Sequence, residues 1–102
     1  MVKVVIIGDS IRMGYQDTVV TELQDWADVW GPEQNGGTSD KVLSHLDDWA
    51  IRRQPDILHV NCGLHDLRKE FGQAVAAVPL DVYEQNVRTI ITRVKSETKG
   101  SV

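Results

Sequence analysis

The chain has 102 residues, 41% of them hydrophobic, which fits one small domain with a modest core. Eleven Lys and Arg against fifteen Asp and Glu leave a net charge of −4, and no basic cluster stands out. That balance argues against a nucleic-acid or anionic-membrane partner, and no stretch approaches the length of a membrane span. Cys62 is the only cysteine, so there is no internal disulfide framework. With no signal peptide visible, a cytoplasmic location is expected.

Val2–Ile7 is a strand by composition. All of it except Lys3 is β-branched and apolar, the density of a strand buried on both faces of a parallel sheet. Gly8 permits a tight turn, and Asp9 and Ser10 then open a helical pattern. Either can cap that helix. Ser10 can also be a nucleophile at the carboxyl end of a central strand, where open α/β sheets bind ligands. The helix carries Met13, Val19, Val20, Leu23, Trp26 and Ala27 on one apolar face.

Ala27–Trp30 reads as a second strand and Gly31–Gly37 as a loop. Thr38, Ser39 and Asp40 start a second helix, with Val42, Leu43, Leu46, Trp49 and Ala50 facing the core. Arg52 and Arg53 sit at its end, where cations complement the dipole, and Pro55 ends it. Ile57–Val60 is a third buried strand. Leu64–Val78 is irregular, a long loop with at most a turn of helix. Leu80, Tyr83, Val87, Ile90, Ile91 and Val94 mark a third helix with acids at its start and Arg93 and Lys95 near its end. Glu97–Val102 is polar and expected to fray. The order β-α-β-α-β-loop-α implies a parallel sheet with right-handed crossovers.

Three loops meet at the carboxyl end of such a sheet: Gly8–Ser10, Asn35–Ser39 and Gly63–Asp66. Backbone N–H groups at Ser10 and at Gly36 or Gly37, with His65, can face a developing oxyanion. Asp66 either orients His65 or starts a turn. His45 is expected on the solvent side of the second helix, and His59 is expected to pack or pair within its strand.

In order, G-D-S after the first strand, N-G-G-T-S opening the second helix and G-L-H-D after the third strand resemble the motifs of the SGNH (GDSL-type) hydrolases. The resemblance implies a flavodoxin-like three-layer α/β/α fold with a parallel sheet of strand order 2-1-3. It implies a serine esterase acting on small-molecule carboxylic esters, with no cofactor and no metal. Ser10 matches the nucleophile, grouped with Asp9. Ser10, Gly36 or Gly37, and His65 match the oxyanion hole, with His65 in the slot usually held by asparagine. Asn35, Gly63 and Asp66 support them.

The family's D-x-x-H segment, which supplies the base past a fourth strand, has no counterpart after the third helix. Residues 1–102 therefore correspond to a single domain truncated before its remaining strands, with activity expected to be weak or absent. A non-catalytic remnant that binds a small ligand or partner through the same crevice is the alternative. The outer edge of Ile57–Val60 is expected to lie open, inviting a second copy or a complementing chain.

Overall fold

A computed structural model describes residues 1–68 and 76–102. Three parallel strands, β1 (Val2–Ile7), β2 (Ala27–Trp30) and β3 (Ile57–Val60), form a sheet of order β2-β1-β3. Val2 to Val5 register with Ala27 to Trp30, and Val4 to Ile7 with Ile57 to Val60. The apolar run of the first strand is thus explained by its central place. Val5 and Ile7 point to one core layer and Ile6 to the other.

The sheet lies between helices. On one face α2 (Ser39–Ser44), α3 (Leu46–Trp49) and α4 (Leu80–Glu97) bury Val42, Leu46, Trp49, Ala50, Ile90 and Val94 against Val5, Ile7 and Leu58. On the other face α1 (Ser10–Glu22) sets Tyr15 and Val19 against Val4, Ile6, Ala27 and Val29. This is the expected three-layer α/β/α arrangement. Among the described residues, no helix is long and apolar enough to cross a membrane.

The expected apolar face of α1 is not the one it buries. Met13, Val20 and Leu23 are exposed, and Trp26, just past the helix, is 75% exposed. The helix is turned so that Arg12, Tyr15, Gln16 and Val19 face inward, an i, i+3, i+4, i+7 stripe led by a buried guanidinium. The carbonyls that Arg12 binds fix that rotation, and they lie in loops that helical periodicity cannot register.

The second helix is broken, not continuous. At Ser44 and His45 two side chains, Ser44 Oγ at 2.8 Å and His45 Nδ1 at 2.9 Å, converge on the Lys41 carbonyl. Such local side-chain bonds compete with the helix ladder. The chain restarts as α3 and ends in a 3₁₀ turn, Ile51–Arg53, closed by Gln54 in the left-handed region at φ 47°. His45 stacks on Trp49 at 4.4 Å between ring centroids and is half-buried, short of the solvent position expected.

The tail does not fray. Ser101 forms a parallel bridge with Ile57, donating to the Asp56 carbonyl (3.0 Å) and accepting from Leu58 N (2.7 Å). The outer edge of β3 is therefore covered at its amino end. Of the irregular stretch expected over Leu64–Val78, positions 69–75 lie outside the described residues. The flanks are joined, Ala77 N donating to the Arg68 carbonyl at 2.7 Å and Val78 N to the Asp66 carbonyl at 3.0 Å.

Candidate active site

Asp9 is the N-cap of α1 and accepts from Ile11 N at 2.9 Å. Its carboxylate is buried and spent on that cap. Ser10 is thereby the first helical residue, exposed at the carboxyl end of the central strand, at the end of the helix where partial positive charge gathers. Among the described residues, no histidine or carboxylate hydrogen-bonds its hydroxyl.

The second loop is bound directly to the first. Gly36 N donates to the Gly8 carbonyl at 2.8 Å. A Cβ on Gly36 would stand 2.8 Å from that same oxygen, so only glycine fits. Gly37 takes φ 63°, and its N–H donates to Asn35 Oδ1 at 2.8 Å. The two glycines thus differ: the Gly36 amide is fixed to backbone, whereas the Gly37 amide is held by a side chain that can rotate away.

Arg12 locks this pair of loops and was not singled out by the sequence. Only 1% exposed, it spends five hydrogen bonds: Nε and Nη2 on the Gly8 carbonyl, Nη1 on Pro32 O and Gln16 Oε1, Nη2 also on Gln34 O. Burial pulls its pKa below the ordinary value, opposed by Tyr15 and Asp9. One signal was available, since a cation in the first turn of a helix opposes the dipole and needs a separate reason.

The third loop leaves β3 beside the first, with Asn61 N donating to the Ile7 carbonyl at 3.0 Å. Gly63 adopts φ 135°, a conformation side chains rarely tolerate, with the Tyr83 hydroxyl close by. That hydroxyl donates to the Cys62 carbonyl at 3.2 Å. Burial first, then the charges of Asp66 and Asp9, push the Cys62 thiol up to about 11.

His65 is half-buried and lines, with Leu64, Leu67 and Arg68, a shallow depression of about 420 Å³. Asp66 does not turn to it. Fully buried, it accepts from Ser39 N at 2.8 Å and from Ser39 Oγ at 2.5 Å. Asn86 of α4 donates to Ser39 Oγ (3.0 Å) and to Asp40 Oδ1 (2.7 Å). Asn86 went unnoticed in the sequence, although it interrupts the apolar stripe of Tyr83, Val87, Ile90 and Val94.

One Asp-x-x-His does occur in the chain, at Asp56 and His59. Its two side chains part company. Asp56 accepts from Lys3 N at the amino end of the sheet and pairs with Lys99, while His59 meets the Tyr15 hydroxyl at 3.2 Å. Asp56 is thus held at the amino end of the sheet, and His59, beside Ile6 in the register, is engaged by Tyr15 of α1 and not by Ser10.

Compared with known proteins, the chain matches no family model and no curated sequence. Solved structures do match. A catalytic histidine mutant of an acetylxylan esterase from Geobacillus stearothermophilus superposes with a TM-score of 0.79 at 24% identity, over 97% of this chain and 57% of that one. Another acetyl xylan esterase gives 0.74 at 17% identity, over 94% and 54%. A GDSL-like lipase from Bacteroides thetaiotaomicron gives 0.73 at 21%, over 96% and 45%.

The fold is shared with these acetylxylan esterases and this GDSL-like lipase. The chain spans about half the length of the structures it matches. Within this fold the three motif loops are the ones that the Gly8–Gly36 and Ser39–Asp66 bonds tie together.

Proposed function

We propose that the chain carries the nucleophile and oxyanion side of a serine esterase that hydrolyses small carboxylic esters. The observation that carries this reading is the exposed Ser10 at the junction of β1 and α1, with the Asn35–Gly37 loop bonded to the turn beneath it. In this reading Ser10 Oγ attacks the ester carbonyl. Ser10 N–H, the Gly37 N–H released from Asn35, and His65 donate to the oxygen as it becomes negative. Support also comes from the Geobacillus esterase, whose catalytic mutants at a histidine, an aspartate and a serine all match this chain.

A serine hydroxyl is a weak nucleophile until a base takes its proton. No base is bonded to Ser10 among the described residues, and His65 is assigned to the oxyanion side. The expected rate is therefore low, at most the roughly 10³–10⁴-fold over water that a hydrolase keeps after losing a triad member. The same observation favours a second reading, a binding remnant without turnover.

Hydrolysis of p-nitrophenyl acetate by wild type, Ser10→Ala and His65→Ala decides between them. Slow turnover lost in Ser10→Ala supports the esterase. Turnover indifferent to Ser10→Ala removes the serine mechanism, and robust turnover abolished by His65→Ala makes His65 the base.

A further inference from the structure

We propose that Asp66 is a positioning residue that couples the two oxyanion-side loops, holding Gly37 through Ser39 and His65 through the chain. The inference rests on the esterase reading only for its catalytic consequence. The geometry stands independently of it. Asp66 and Ser39 are both fully buried, and their two bonds join the third loop to the second across 27 positions of sequence. Ser39 lies two residues after Gly37, and Asp66 directly follows His65. A shift of either loop is thereby passed to the other.

The proton accounting makes the carboxylate specific. Ser39 presents two donors, its N–H and its O–H, and each goes to a different oxygen of Asp66. One lone pair of the hydroxyl accepts from Asn86 Nδ2 on the other side, and that NH₂ also reaches Asp40. An amide at position 66 has one acceptor oxygen and an NH₂ group. It can satisfy the Ser39 N–H, but its NH₂ then faces a hydroxyl already receiving a donor from Asn86. The hydroxyl proton is left with no acceptor in a buried site. Such a group breaks its contact or the loop moves. Asp66→Asn, nearly identical in shape, is therefore expected to release both loops at once.

The test is amide NMR of the 102-residue chain with and without Asp66→Asn. The expected result is movement or broadening of both the Gly37 and His65 resonances, while those of β2 (Ala27–Trp30) keep their positions. Ser39→Ala, which keeps the Ser39 N–H bond to Asp66, is the second variant and should move both in the same direction by less. Movement at His65 alone, or at neither, in a folded variant overturns the coupling.

Labelling of Ser10 by a fluorophosphonate supplies the catalytic arm. Asp66→Asn should slow it by about 10² or more, the scale of a lost oxyanion donor. Unchanged labelling alongside displaced resonances overturns the catalytic consequence. A wild type that Ser10→Ala shows to be unlabelled sinks the esterase reading, and the NMR result still decides the coupling.

Discussion

The Gly36 amide donates to the Gly8 carbonyl across 2.8 Å, so the loop before α2 is pinned to the turn that presents Ser10. The adjacent glycine makes no such backbone bond. The pair therefore predicts contrasting costs. Gly36→Ala places a methyl 2.8 Å from backbone oxygen, and the loop must move, at about 2–3 kcal/mol. Gly37→Ala meets only the flexible Lys41 Cδ at 3.5 Å and pays for its positive φ, about 1 kcal/mol. Urea melts of the two variants read the difference, and equal losses would count against the pinned loop.

Arg12 gives the second prediction. Arg12→Met fills the space but leaves the carbonyls of Gly8, Pro32 and Gln34 without this donor, at about 3 kcal/mol. Arg12→Lys keeps the charge, yet an ammonium has three donors and no planar fork, so it should recover only part of the loss. Denaturant midpoints of both variants test this. Full recovery by lysine would show that charge, and not the fork, holds the loops.

Asp56 predicts a pH dependence. The Lys3 N–H, and after it the Lys99 ammonium, hold its carboxyl below the ordinary carboxylate value. A folded pKa below the unfolded one stabilises the protein above the unfolded value, about pH 4, and that contribution is lost as the pH falls through the folded value. The difference in midpoint between wild type and Asp56→Asn should thus be largest near neutrality and close below pH 4. A difference that persists unchanged at pH 3 contradicts the assignment.

The tail gives the fourth. A Cβ at Gly100 would stand 2.3 Å from the Pro55 carbonyl, so Gly100→Val should dislodge Ser101 from β3. Leu58 N then loses its acceptor on the outer edge, and an open edge strand pairs with other chains. Light scattering should show mass rising with concentration in this variant more steeply than in wild type. Equal behaviour would mean that Ser101 does not protect the edge.

Much of this was legible in the chain. The run Val2–Ile7, the turn at Gly8, Asp9 ahead of α1, Thr38 ahead of α2, and the long helix α4 announced themselves because they are local. A strand repeats every two residues and a helix every 3.6, so a short window holds the whole signal. The motif likeness of the three loops placed them together and named Ser10, Gly36 or Gly37, and His65 as candidates.

The break at Ser44 and His45 aside, tertiary structure decided the rest through polar groups whose partners are far along the chain. Arg12 turned α1 away from its apolar face to reach carbonyls up to 22 positions distant. Asp66 ignored its neighbour His65 for Ser39, 27 positions back, and Asn86 joined them from 47. A buried donor or acceptor must be paired wherever the fold puts a partner, and that obligation leaves no period in the sequence.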